Sequence, residues 1–505
     1  MKGYLIDTLY SIVTNPAIIA VFIFSLLIIA SLGEYMVNDE GIWNYIAFLW
    51  IKYGIPPYSE AIENKTPGIY FIFTISNLLF GLNIWFPRLL GSLSMVATSA
   101  LLYFIGRKLS DHLAGIIAMI IFGLSVSWRF MNGTYTAQTE SFMILFSTLS
   151  FFFLIASRNT RRLRSYVLYI LIAGFSMGIA ICFKQTAIFS AVALLAFLLS
   201  LSQEKDCPIP TSVTKDLLLL LAGAILPLCL CLIVLIASGT TVTEFLHQAW
   251  LVLLQEGGGA ELKITKRVWN FISAWRYSEM ILFYPLVLLF IIQKKRIEDN
   301  KIPFWGIIFW IIFDFIGVNA SGFYFGHQFK QLVPPLSLAS GIAISVLLKS
   351  TSTSTKDMRR YLVQIIVVLA ILWAPYQTLL RSYNMNFKGG VNDEYKQYQE
   401  LGLWLRTNTK EADFVYLIGG HTNPALAYSQ RRSASRYFSL LFIERDDARK
   451  EILGDLTEKK PKYIIIDQSL GDSSVRILPG LEVILEQSYR HKMTNYNVEI
   501  YERKG

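Results

Sequence analysis

Charge is scarce in this sequence: Asp, Glu, Lys and Arg make up 16% of its 505 residues, against roughly 25% in a typical soluble domain. Hydrophobic residues make up 54%, more apolar side chain than one or two soluble cores bury. Most apolar runs are 16 to 23 residues long and end at charges or turn residues. That is the length at which a helix crosses roughly 30 Å of hydrocarbon. The alternating pattern of a transmembrane barrel is missing. The chain reads as a polytopic α-helical membrane protein.

Cysteine is also rare. Cys182, Cys207, Cys229 and Cys231 fall in or beside expected spans, or in a loop expected inside the cell, which excludes a disulfide framework and a zinc spacing. Only five histidines are present, too few for a His-rich ligand set, and no metal or other cofactor is indicated. The first apolar run, 16–36, is too long for a signal h-region and lacks a small-x-small exit site, so it is expected to stay as an anchor. "EGGGAE" at 256–261 has no strand before it and no P-loop lysine after it, which excludes a nucleotide site there and suggests a loop over the active site.

What the chain has in excess is positive charge, +10 net, and it is clustered. The clusters are Arg107-Lys108, "RNTRRLR" at 158–164, "QKKR" at 293–296, and Lys349 with Lys356, Arg359 and Arg360. Such juxtamembrane groups set topology and meet lipid headgroups; no nucleic-acid partner is implied. Placing all of them inside, with the amino terminus inside, gives about eleven spans: 16–36, 84–105, 110–129, 138–157, 165–183, 185–202, 216–238, 278–293, 303–320, 329–348 and 361–380. The segment 67–82 breaks this parity if it crosses, so it is expected to dip into the outer interface as a short helix.

The resulting domain of 1–383 sends 37–83, 130–137 and 239–277 outward. The polar "STSTSTKD" at 350–357 reads as a cytoplasmic linker. From 384 the character changes. Helix-like "DEYKQYQELGLWLRTNT" and "RDDARKEILGDLTEKK" alternate with strand-like "DFVYLIGG", "PKYIIIDQS" and "VEIYER", which predicts a small extracytoplasmic α/β domain over 384–505.

After the first span comes "NDEG", residues 38–41. Asn38 suits an N-cap, and Asp39 and Glu40 suit the first turn of a helix dipole. Ile42, Tyr45, Ile46, Leu49 and Trp50 then share one face, predicting a helix along the membrane surface. Capping alone would explain the two acids. Three further features are expected at the same outer edge: Lys65 in a Pro-flanked loop, Glu140 in "TAQTESF", and His327, Gln328, Lys330 and Gln331 in "YFGHQFKQLVPPL". Ionisable groups at such depths are costly and tend to line a cavity, so their convergence suggests a site.

The "DE" after the first span, "YGIPPY", "ENKTPG" and "GHQFKQLVPPLSLASG", in this order, resemble the GT-C superfamily of membrane glycosyltransferases. The likeness is to the branch of protein O-mannosyltransferases and of the aminoarabinose transferases of lipid A, in lipopolysaccharide, and it spans residues 16 to 380. It implies transfer of a sugar from a polyprenyl-phosphate donor to a hydroxyl or phosphate outside the membrane, with inversion. By the same resemblance Asp39 is the general base, Glu40 its acidic neighbour, Lys65 the holder of the carrier phosphate, and Glu140 a second acidic residue. Two departures stand out: Asn64 separates Glu63 from Lys65, where some relatives place an acid linked to metal before the lysine, and "KTP" replaces "KPP".

The chemistry is consistent with that division of labour. A departing phosphate needs a cation, and an incoming hydroxyl needs a carboxylate. Lys184 in "CFKQTA" is a second candidate for the phosphate, or a snorkelling lysine. His327, flanked by Tyr324, Phe325 and Phe329, is a candidate for substrate contact or for structural hydrogen bonding. Arg129, Arg276 and Arg381 suit headgroups, or one of them assists the phosphate. His421, Arg431, Arg432 and Arg436 in the tail form either an anion site or a solvated basic face. The expected partners are the donor, an acceptor left open and membrane lipids, in the cytoplasmic membrane of a bacterium. The alternative function is a transporter or flippase of lipid-linked glycans. That needs ionisable groups along a path through the midplane, where Asp314 in "IIFDFIG" is the main exception.

Overall fold

A computed structural model describes residues 14–31, 35–127, 136–202, 212–252, 264–277, 280–320, 322, 324–350, 380, 393–443, 446–470 and 477–504. The glycine-rich loop, the linker, most of the span expected at 361–380, Arg129 and Arg381 lie outside these residues.

In chain order the helices are α1 (Pro16–Ser31), α2 (Asn38–Tyr53), α3 (Gly68–Phe80), α4 (Trp85–Leu109), α5 (His112–Val126), α6 (Thr139–Arg158), α7 (Leu163–Phe183), α8 (Ala187–Ser202), α9 (Val213–Ala237), α10 (Ile264–Tyr277), α11 (Tyr284–Ile292), α12 (Phe304–Asn319) and α13 (Val333–Ser350). The tail follows as α14 (Asp393–Asn408), β1 (Phe414–Ile418), α15 (Asn423–Ser429), β2 (Arg432–Ser433), α16 (Asp446–Lys459), β3 (Tyr463–Asp467), α17 (Leu481–Ser488), β4 (Tyr489–Asn495) and β5 (Val498–Arg503). Ten of the eleven expected spans coincide with helical segments. Among the described residues, five segments are long and apolar enough to cross a membrane: α4, α6, α7, α9 and Gly326–Lys349.

Two differences have local causes. The segment 278–293 is not one continuous α-helix: a 3-10 turn, Met280–Phe283, precedes α11, which carries Pro285 in its first turn. Proline has no N–H to give the preceding turn, so it starts a helix better than it continues one. The segment expected at 67–82 is the 13-residue α3, about 20 Å long at 1.5 Å per residue. That is short of a bilayer core.

By contacts the chain divides into two units: 1–32, 88–231 and 256–383 in the first, 33–87, 232–255 and 384–505 in the second. The expected division at 383/384 follows membrane topology, which contacts do not test. They do group the first outward segment with the tail.

The first unit is built on close helix approaches. The Ser150 hydroxyl of α6 donates to the Ala173 carbonyl of α7 at 2.7 Å, and Phe151 stacks on Trp310 of α12 at 3.6 Å. On α7, Gly174 and Gly178 are one turn apart. A Cβ on Gly174 would lie 2.1 Å from the Leu220 carbonyl oxygen of α9, and one on Gly178 would lie 2.3 Å from that of Ala224. Small residues four apart are a standard means of bringing membrane helices together.

In the second unit the sheet order is β2-β1-β3-β5-β4, parallel through β3 and antiparallel beyond it. Ile418, Ile464, Ile466, Ile452, Leu456 and Phe442 form its core, and Ile62 and Val252 belong to the same cluster. Helix α2 packs on α3 through Trp43 and Phe73, with rings 5.5 Å apart, and on the tail through Tyr45 and Phe438 at 5.0 Å. The run Glu40–Ala47 is therefore buried all round, where a single buried face was expected.

Gly174→Ala forces a Cβ into backbone and is expected to cost about 1–3 kcal/mol, seen as a lower thermal midpoint in detergent. Gly454→Ala in α16, where the added Cβ meets nothing within 4 Å, is expected to stabilise by about 0.5–1 kcal/mol.

Candidate functional site

The expected site residues fall into two sets, one in each unit. In the first unit Glu140 opens α6 and is buried, and its carboxylate meets the Lys184 ammonium directly. The Thr139 hydroxyl donates to its other oxygen at 2.9 Å, and His327 Nε2 lies 3.7 Å from Oε1. Lys330 is fully buried, donates to the Ser141 hydroxyl at 3.1 Å and feels the Glu140 charge. One carboxylate thus serves several cationic or donor groups. The snorkelling reading of Lys184 is overturned, because the side chain turns inward to a buried acid.

Gln331 serves a different centre. Its Nε2 donates to Asp314 Oδ1 at 3.1 Å, to Ser190 Oγ at 3.2 Å and to the Thr186 carbonyl at 3.1 Å. The Ser190 hydroxyl donates to Asp314 Oδ1 at 2.5 Å and Trp310 Nε1 to Oδ2 at 2.9 Å. Asp314 ties α8, α12 and the Gln331 turn together. Gln328, Gln331, Lys184 and Thr186 border a small cavity of about 20 Å³, near the volume of one water.

In the second unit α2 begins differently from its sequence expectation. Its N-cap is Val37, and Asn38 is the first helical residue. Asn38 is spent elsewhere, its Oδ1 accepting from Asn423 Nδ2 at 2.8 Å. Glu40 Oε2 accepts from the Val37 N–H at 3.3 Å, a capping contact from a buried side chain, which gives this acid a structural task. Asp39 is half-buried, and no described residue hydrogen-bonds or ion-pairs with its side chain.

Lys65 follows a turn built by aromatic residues. The Tyr58 and Tyr70 hydroxyls donate to its carbonyl at 2.6 and 3.3 Å, and Gln248 Nε2 donates to the Tyr58 carbonyl at 2.6 Å. Tyr58 itself sits at φ +71°, a strained conformation for an aromatic residue that these bonds hold in place. The Lys65 ammonium, 26% exposed, lies 3.0 Å from Asn64 Oδ1 and 3.4 Å from Glu63 Oε1. Burial pushes the Glu63 carboxyl up from its ordinary value; Lys65 pulls it down and Asp39 pushes it up again. Glu63 therefore senses both Asp39 and Lys65. The sequence reading missed its role, because it treated the residue only as a departure from a pattern.

The tail's basic residues are occupied. Arg431 donates to Thr409 Oγ1 and to the carbonyls of Arg406, Thr409 and Gln430. Arg432 pairs with Glu60 at 2.6 Å and Arg436 with Glu451 at 2.6 Å. These bonds tie the tail internally, and Arg431 also borders a cavity of about 230 Å³ with Lys52, Arg406 and Glu411; His421 faces the Tyr395 ring. Among the described residues no three His, Cys, Asp or Glu side chains come together to hold a metal ion.

Comparison with known proteins agrees with this architecture. The family described as dolichyl-phosphate-mannose-protein mannosyltransferase matches residues 64–236. ArnT from Cupriavidus metallidurans, solved bound to undecaprenyl phosphate, superposes with a TM-score of 0.62 at 11% identity, covering 96% of this chain and 97% of its own. This chain has the GT-C glycosyltransferase fold. The archaeal oligosaccharyltransferase AglB from Archaeoglobus fulgidus, solved with an inhibitory peptide and a dolichol-phosphate, superposes with a TM-score of 0.58 at 13% identity, covering 97% of this chain and 74% of its own. No curated protein sequence matches the chain. The long apolar helices of this fold mark the chain as a membrane protein.

Glu140→Gln leaves Lys184, His327 and Lys330 around a neutral amide. Removing one partner of a buried pair is expected to cost about 3–5 kcal/mol, measured by thermal unfolding in detergent. Adding Lys330→Met is expected to restore part of that loss.

Glu63 gives a pH prediction. Its raised carboxyl binds a proton more tightly folded than unfolded, so its contribution to stability is full in acid and falls as pH rises through the folded value. Glu63→Gln is expected to raise the thermal midpoint above wild type at pH 7.5, with the gain shrinking toward pH 4, followed by scanning fluorimetry.

Proposed function

We propose that the protein is an inverting glycosyltransferase that moves a sugar from a polyprenyl-phosphate donor to a hydroxyl or phosphate on an extracytoplasmic acceptor. Asp39 is the general base toward the acceptor, and Lys65 holds the carrier phosphate and stabilises it as the leaving group. The observation that carries this reading is the arrangement about Glu63, which is 3.4 Å from Lys65 and within electrostatic reach of Asp39. A base without a side-chain partner and a partly exposed cation are thus found in one unit, both coupled electrostatically to one buried acid. Asp39 is available to take a proton, and Lys65, 26% exposed beside Asn64 and Glu63, presents its charge to a phosphate.

Within the first unit, Lys184 held by Glu140 is a further candidate for phosphate binding, with His327 and Gln328 as candidates for substrate contact. Asp314 and Gln331 brace helices. The amino terminus is cytoplasmic, about eleven spans cross a bacterial cytoplasmic membrane, and the α/β tail is extracytoplasmic. The polyprenyl phosphates bound by ArnT and AglB support the donor class. A hexose or pentose donor and a lipid, glycan or protein acceptor all suit this chemistry.

The test is release of free polyprenyl phosphate from a panel of synthetic polyprenyl-phosphate sugars, with full-length protein in nanodiscs and membrane extract as acceptor. Asp39→Asn is expected to reduce release to background, and Lys65→Ala to raise the donor KM at least ten-fold. Undiminished release by Asp39→Asn would remove the mechanism.

A further inference from the structure

We infer that the carboxy-terminal α/β domain positions Asp39, with Asn423 as the positioning residue acting through Asn38. The inference rests on the reading of Asp39 as the base.

With no side-chain partner, Asp39 takes its direction from the backbone of the turn that carries it. That turn is held from three sides. Glu40 closes it locally onto the Val37 N–H at 3.3 Å. The other two holds come from the tail. Asn423 Nδ2 donates to Asn38 Oδ1 at 2.8 Å, immediately before Asp39. Gly41, two residues after it, lies against tail backbone: a Cβ there would stand 2.5 Å from the Pro424 nitrogen and 2.7 Å from the Asn423 carbonyl carbon.

Both tail contacts come from the start of α15, where Pro424 restricts the backbone, and residues Asn423–Ala427 are buried. Thr422 before them is buried against Gly419 at the end of β1. The line of support therefore runs from the sheet through β1 and α15 to the turn of α2. A contact that served only to hold the domains together would not need to be aimed at the residues on either side of the base. Tyr45 provides such a contact for comparison. Its hydroxyl accepts from the Ser433 N–H at 2.7 Å, about 9 Å further along α2.

The experiment measures donor turnover for Asn38→Ala, Asn423→Ala and the double variant in nanodiscs, with amide hydrogen exchange of residues 38–42 on the same samples. A misplaced base costs on the order of 10–100-fold in rate. Each single variant is expected to lose that much kcat with donor KM unchanged. The double variant is expected to lose no more than either single, because both remove one bond. Exchange at the Gly41 amide, bonded to the Val37 carbonyl at 2.9 Å, is expected to rise in all three. Tyr45→Phe is expected to lower the thermal midpoint and leave kcat unchanged.

Wild-type kcat in Asn423→Ala, multiplicative losses in the double variant, unchanged exchange, or an equal kcat loss in Tyr45→Phe would each overturn the positioning role. If Asp39→Asn keeps full turnover, or wild type releases no polyprenyl phosphate from any donor, the transferase reading fails and this inference with it. Loss in Asp39→Asn with none in Asn423→Ala separates the two cases.

Discussion

A carboxylate removed from water needs a partner, and this requirement organises the acids of the first unit. Asp216 pairs with Arg158 at 3.1 Å and Glu140 with Lys184, while Asp314 accepts hydrogen bonds from Ser190, Gln331 and Trp310. Each joins helices far apart in sequence. Isolated, any of them would cost several kcal/mol in an apolar interior; paired, they fix which helices lie side by side. Asp39 in the second unit is the contrast, held by its backbone and left unpaired, which is what a proton acceptor requires.

Lys65 follows the same economy of charge. Its ammonium has Asn64 and a buried Glu63 as near partners, and that carboxylate is itself penalised by burial and by Asp39. On the proposed reading an arriving phosphate takes up the Lys65 charge, and Glu63 then loses a partner that helped it stay ionised. On that reading, proton uptake by Glu63 on donor binding follows from the coupling of these groups.

Most of the helical architecture was legible in the sequence because the hydrocarbon thickness sets run length and polar groups end each run. Strands β1, β3 and β5 were legible from "FVYLI", "YIIID" and "VEIYER". Strand β4, "YRHKMTN", was not: it is mostly exposed and owes its conformation to pairing with β5. The start of α2 was misread by one residue because Asn38, a good local cap, is claimed by Asn423 from 385 residues away. The inward pairing of Lys184 was illegible for the same reason. Local preference weighs a side chain against its neighbours, and here distant partners win.

The core of the tail shows why it is more than an appended domain. Ile62 comes from the loop that carries Lys65 and Val252 from the segment after α9, yet both lie in the hydrophobic cluster with Ile418, Ile464 and Ile466. Fully burying an aliphatic side chain contributes about 1.5–3 kcal/mol, so the sheet and the loop stabilise each other. Deleting the tail would expose Ile62 and Val252, free Tyr45 and Asn38 of their partners, and loosen the turn that bears Asp39 together with the loop that bears Lys65. Loss of activity on deletion would then follow from the site's own geometry, whatever the tail does with an acceptor. Only substitutions that leave the core intact separate support of the base from recognition of the substrate.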